Sequence, residues 1–109
     1  MSKLITDESG LAKVLKENKS VFLLVYASWC PYSKRFLPIF EEQAENKKIN
    51  CARVMIDDLE SVVNKYSVNV FPTVLFFENG KVTKRLDGVY GVGLDEQELR
   101  DFIRSCGRS

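Results

Sequence analysis

Two kinds of apolar patterning alternate along the chain. Val21 to Ala27 is an unbroken apolar run rich in β-formers, which predicts a strand buried on both faces. Asn50 to Asp57 reads as a second such strand, and Lys3 to Ile5 as a short edge strand. Between them the apolar positions recur at helical spacing. Leu11, Val14 and Leu15 form one stripe, with Thr6 or Asp7 as the cap. After Cys30 a longer stretch carries Phe36, Leu37, Phe40 and Ala44 on one side and Lys34, Glu41, Glu42 and Glu45 on the other. Pro38 falls inside it and predicts a kink. Leu59, Val62, Val63 and Tyr66 keep the i, i+3, i+4, i+7 spacing of a short helix.

The last third reads as a hairpin and a closing helix. Thr73 to Glu78 and Lys81 to Asp87 flank Asn79-Gly80, a dipeptide that supplies the positive φ angles of a tight turn. Asp95 and Glu98 fit a capping box, and Leu94 with Leu99 a hydrophobic staple. Leu99, Phe102, Ile103 and Cys106 make the buried stripe of the helix that follows. The order is βαβαβαββα. Buried strands alternating with helices predict an α/β fold, a central mixed sheet with helices on both faces.

Composition narrows the function classes. At 109 residues the chain is expected to form one domain, 1–109, with one real core. Net charge is +1 with both signs dispersed, so no basic stripe invites nucleic acid. His is absent, which removes the usual general base and the commonest metal ligand. Cys30, Cys51 and Cys106 form neither a disulfide framework nor a zinc-ligand spacing. The longest apolar run is far too short to span a membrane, and the acidic N-terminal stretch has no leader-like apolar segment. These features make the cytoplasm the expected compartment, with no membrane partner, although a domain excised from a secreted or organellar protein would read the same way.

The candidate chemistry centres on Trp29-Cys30-Pro31-Tyr32-Ser33, where a strand hands over to a helix. Pro31 suits the first helical position, whose N–H has no intrahelical partner. Cys30 then occupies the N-cap, where free N–H groups and the helix dipole favour an anion. Ser33 lies one turn on, close enough for its hydroxyl to donate to the sulfur. Read alone, Cys30 also fits a small apolar residue at a helix start. Trp29 and Tyr32 form either an apolar rim for a partner or, for Trp29, part of the core. Pro72, between Phe71 and Thr73, enters a strand, a place where a cis bond is one solution.

Together these residues resemble the thioredoxin family along nearly the whole chain. Trp29-Cys30-x-x-Ser33 matches its Trp-Cys-x-x-Cys except at the last residue. Pro38 matches the proline of the active-site helix, and Phe71-Pro72-Thr73 the cis-proline loop beside the reactive sulfur. Phe76 to Lys81 resembles the terminal hairpin, and Gly88 the glycine after it. The resemblance implies a thioredoxin-like fold and thiol–disulfide oxidoreductase chemistry with Cys30 as nucleophile. It implies a substrate surface of Trp29, Pro31, Tyr32, Phe71, Pro72, Thr73, Val89, Tyr90 and Gly91. Its partners would be protein disulfides and a thiol reductant or reductase, met as a monomer, with no cofactor or metal.

Two departures qualify that expectation. Ser33 stands at the resolving-cysteine position, and Leu24 where many members carry a buried acid. An alcohol is a far poorer nucleophile than a thiol at neutral pH and makes no disulfide. The chain is therefore expected to form mixed disulfides through Cys30 and stop unless an external thiol resolves them. Ser33 then marks a natural monothiol protein or an engineered Cys-to-Ser change. The alternative function is a redox-inactive module that binds peptides in the same groove.

Overall fold

A computed structural model describes residues 2–107. Strand β1 (Lys3–Ile5) leads to helix α1 (Glu8–Glu17), strand β2 (Ser20–Tyr26) and helix α2 (Pro31–Asn46). Then come β3 (Cys51–Met55), α3 (Glu60–Lys65), β4 (Thr73–Glu78), β5 (Lys81–Asp87) and α4 (Glu96–Ser105). The sheet order is β1-β3-β2-β4-β5. β3 runs parallel to both β1 and β2, while β4 runs antiparallel to β2 and β5. The element order and the mixed sheet agree with the pattern read from the sequence.

Alternation along the central strands sorts the core into two halves. Val21, Leu23 and Val25 of β2 join Leu75 and Phe77 of β4 beneath α1 and α3, with Leu11, Val14 and Val62 above them. Phe22, Leu24 and Tyr26 join Val74 and Phe76 on the opposite face, beneath Phe36 and Phe40 of α2 and Phe102 and Ile103 of α4. Successive side chains of a strand point to opposite faces. A central strand covered by helices on both sides must therefore be apolar throughout, which explains the unbroken run. Each fully buried Phe contributes roughly 1.5–3 kcal/mol relative to exposure.

β3 departs from its expected full burial. Ala52 and Val54 are buried, but Cys51, Arg53 and Met55 are only half-buried. On the second face Cys51 and Met55 pack partly against the core half beneath α2 and α4, and Arg53 meets polar partners. Arg53 donates to the Ser2 carbonyl at 2.6 Å and lies 3.6 Å from the Glu41 carboxylate of α2. Cys106 likewise lies at the C-terminal cap of α4, half-buried, rather than inside its buried stripe.

Local signals set the element ends. The Asp7 carboxylate accepts from Gly10 N–H and caps α1. Asp95 and Glu98 complete the capping box of α4, and Leu94 and Leu99 pack in one cluster, as a staple requires. Asn79 and Gly80 have φ of 51° and 81°, the positive pair a two-residue hairpin turn needs. β2 ends at Tyr26 and α2 begins at Pro31, so the Trp29-Cys30 segment emerges at the C-terminal end of the central strand.

Candidate active site

Cys30 is the N-cap of α2 and Pro31 follows at its first turn. The thiol is 7% exposed and donates toward the Phe71 carbonyl at 3.8 Å. Phe71-Pro72 is a cis peptide bond, and it brings the loop before β4 over the start of α2. Trp29 packs edge-on against the Phe71 ring, with centroids 6.2 Å apart. Its own surface is 65% exposed, so it is not part of the core.

The third wall is the loop after β5. Val89 N–H bonds to Gly93 O at 3.1 Å and Gly93 N–H returns to Val89 O at 2.8 Å, closing a tight loop. Tyr32 donates its hydroxyl to Gly91 O at 2.8 Å, and Arg35 Nη2 donates to Val92 O at 2.7 Å. The Arg35 guanidinium also lies over the Tyr32 ring. Both side chains come from the first turns of α2, so the helix that carries Cys30 also fixes this loop. Gly93 has φ of 84°, and a Cβ there would meet Tyr32 Cβ at 2.9 Å, so the loop and helix approach as only glycine allows.

Together these elements enclose an open groove of about 370 Å³ lined by Trp29, Cys30, Tyr32, Asn69, Val70, Phe71, Tyr90 and Gly91. Among the described residues, five large apolar side chains are conspicuously exposed; two of them, Trp29 and Tyr90, line this groove, and Val89 and Val92 lie on the same loop as Tyr90. A clustered apolar patch of this kind marks a contact surface rather than scattered exposure. A hollow of about 410 Å³ between α1 and α3 is larger, but it contains no cysteine.

The structure brings most of the sequence-predicted residues together and sets a few aside. Pro31 is exposed at the helix start and Val89 is exposed on the loop after β5; neither lines the groove. Pro72 is buried in its loop. Thr73 does not face the groove: it is fully buried, and its hydroxyl donates to Val70 O at 2.7 Å and accepts from Gly88 N–H at 3.5 Å. It braces the loops that form the site, because β4 carries it one residue into the sheet. Ser33 is also fully buried, and its Oγ accepts from Ala27 N–H at 3.2 Å. The Cys30 thiol thus donates to Phe71 O, while Ser33 Oγ accepts from Ala27 N–H, a role that does not use its own O–H.

Four contributors escaped the sequence reading. Asn69 and Val70 line the groove only because the cis-proline loop folds back. Arg35 looks like one more solvated helix charge until Val92 O is placed beside it. The Asp57 carboxylate accepts from Ser28 N–H and Ser28 Oγ, at 3.4 and 3.1 Å, anchoring the residue before Trp29. The Ser28 N–H bond is the main reason its carboxyl is held below the ordinary value. Position in space, with no sequence spacing, made these partners.

The other two cysteines sit elsewhere. Cys51 opens β3, and burial, followed by the Glu41 carboxylate, pushes its thiol up to about 12. It is therefore protonated at neutral pH. Cys51 and Cys106 both pack against the core half beneath α2 and α4.

The thioredoxin family model matches residues 2–105. The chain belongs to the thioredoxin family. A thioredoxin of Mycoplasmoides gallisepticum is 33% identical over 103 residues, covering 94% of this chain and 99% of that protein. A bifunctional thioredoxin reductase/thioredoxin of Mycobacterium leprae is 30% identical over 101 residues, which span 91% of this chain but 22% of that protein. The X-ray structure of Fasciola hepatica thioredoxin superposes with a TM-score of 0.84 at 28% identity, covering 94% of this chain and 97% of that one. Thioredoxin-like disulfide oxidoreductase chemistry is thus the family frame for Cys30. Among the described residues, no helix is long and apolar enough to cross a membrane.

Proposed function

We propose that this thioredoxin-family chain is a monothiol disulfide-exchange protein acting through Cys30. A protein carrying an accessible disulfide lays an extended segment in the groove against Trp29, Phe71 and Tyr90. The Cys30 thiolate attacks one substrate sulfur. A Cys30–substrate disulfide forms, the substrate S–S bond breaks, and the second substrate sulfur leaves as a thiolate. Ser33 supplies no second sulfur, so an external thiol or a reductase completes the cycle. The observation that carries this reading is the Cys30 thiol in the groove, 3.8 Å from Phe71 O, with the exposed rings of Trp29 and Tyr90 lining the same groove. Dependence on external thiols fits a reducing compartment, the cytoplasm, and the reading takes the chain as a monomer.

The test is mixed-disulfide formation with a protein disulfide at neutral pH, followed by reductase turnover in Ser33→Cys. We expect adduct at Cys30, none in Cys30→Ser, and turnover restored by Ser33→Cys. A Cys30 no more reactive than Cys106 would overturn the proposal. Partner binding that survives Cys30→Ser unchanged, with no adduct in the parent chain, would support the redox-inactive binding module instead.

A further inference from the structure

Both ends of one groove wall are tied to a single strand. The wall, Asn69 to Phe71, belongs to the stretch between α3 and β4 that forms neither helix nor strand. At its far end Thr73 pairs with Asp87 of β5. At its near end Tyr66 and Ser67 follow α3, where the last carbonyls of a helix lack intrahelical partners. Arg85, also on β5, brings donors to this turn: Nη1 donates to Tyr66 O at 2.7 Å and Nη2 to Ser67 O at 3.3 Å. Ser67 has a φ of 51°, in the left-handed region that a residue with a Cβ rarely adopts. Val68 after it is buried, so Ser67 is where the chain turns out of the helix toward the groove.

Asp87 aims the guanidinium. Arg85 Nε donates to both carboxylate oxygens at 3.1 Å, and Nη2 to Oδ1 at 2.8 Å. The planar fork is thus divided between a carboxylate on its own strand and two successive carbonyls of another segment, an arrangement a Lys ammonium cannot reproduce. An exposed ion pair by itself contributes little; here the pair fixes the direction of a donor. The same strand offers an internal comparison. Lys84 points to the opposite face and donates to Ser105 O at 2.6 Å, at the end of α4. That contact also ties β5 to a helix end, but Ser105 does not line the groove.

Resting on the monothiol reading, we infer that Arg85 is a positioning residue for disulfide exchange with peptide substrates. It lines no part of the groove and acts through Tyr66 and Ser67, whose fixed carbonyls keep Asn69 and Val70 in the wall. Phe71 is set from the other end, by Pro72 and by Thr73 in β4, so the carbonyl that takes the Cys30 thiol does not depend on Arg85. Loss of the fork therefore alters the fit of a peptide and leaves the thiol itself as it was.

The experiment measures mixed-disulfide formation at Cys30 with two reagents. One is a peptide whose activated cysteine lies midway in an extended segment; the other is dithiodipyridine, which brings no chain to seat. The full chain is compared with Arg85→Ala, Arg85→Lys and Lys84→Ala. Arg85→Ala is expected to slow the peptide reaction by about three- to tenfold, the worth of a hydrogen bond that orders a contact segment. The loss lies in the half-saturating peptide concentration, with the limiting rate unchanged, and dithiodipyridine reacts at the parent rate. Arg85→Lys recovers only part of the loss, and Lys84→Ala keeps both parent rates. An unchanged peptide rate in Arg85→Ala, equal slowing with both reagents, full recovery in Arg85→Lys, or the same slowing in Lys84→Ala would each overturn the inference and leave the monothiol reading standing. If Arg85→Ala does not fold, Arg85→Lys decides alone, since a parent ratio of the two rates in that variant overturns the inference. Failure of the parent chain to form either adduct at Cys30 would overturn the monothiol reading, and this inference with it.

Discussion

Gly88 joins the fold to the chemistry, and replacing it should damage both. A Cβ at this position would lie 2.4 Å from the Pro72 carbonyl oxygen and 3.3 Å from Val70 Cγ1, where ordinary contact begins at 3.4 Å. The φ of Gly88 is outside the left-handed region, so the obstacle to Gly88→Ala is collision, not backbone preference. The obstructing atom is backbone and cannot rotate away. Pro72 is held by the sheet through Thr73, whose hydroxyl bridges Val70 O and Gly88 N–H. Overpacking of this kind costs about 1–3 kcal/mol. A Gly-to-Ala change returns roughly 0.4–1 kcal/mol by restricting the unfolded chain. The balance is a loss of about 1–2 kcal/mol, which lowers the urea midpoint by about 1 M for a domain of this size. Urea unfolding followed by Trp29 fluorescence reads that shift. The displaced Pro72 carbonyl follows Phe71, whose own carbonyl takes the Cys30 thiol. The rate of Cys30 alkylation should therefore change in the same variant. A midpoint equal to the parent's, together with an unchanged alkylation rate, would refute the argument that this glycine sets the distance between the two loops.

Three further outcomes follow from the structure. With its thiol pushed up to about 12 from an ordinary 9.0, Cys51 keeps a proton that the unfolded chain begins to release near pH 9. Its contribution is complete below that pH and is lost as pH rises toward 12, so the urea midpoint should fall with a slope that Cys51→Ala flattens. Arg35→Ala removes the bond to Val92 O, costing about 0.5–1.5 kcal/mol of stability at most. It should slow exchange with protein disulfides severalfold while leaving exchange with a small aromatic disulfide reagent close to the parent rate; equal slowing of both would show that Arg35 does not act through the loop. Asp95→Ala removes the capping box of α4 and should cost about 1 kcal/mol in thermal or urea unfolding, with Cys30 reactivity unaltered.

Much of the site was legible because the residues that build it locally are punctuation. Pro31 at a helix start, Pro72 before a strand and Asn79-Gly80 between two strands each restrict the backbone at their own position. The neighbours of Cys30 in sequence were therefore placed correctly at the head of α2. Reading failed where a side chain's fate depended on something distant. Thr73 looked like groove lining because it follows Pro72, yet its place in β4 turns it inward.

The sequence alone determined the order of elements, the central position of β2, the caps, the hairpin and the cysteine that meets a helix start. These follow from backbone preference and from the periods of burial, which act over a few residues. Tertiary structure alone decided that Trp29 is a rim, that Arg35 and Tyr32 hold the loop after β5, and that Asn69 and Val70 reach the groove. Those are contacts between segments far apart in the chain, and no local pattern encodes which atoms meet when the sheet brings them together.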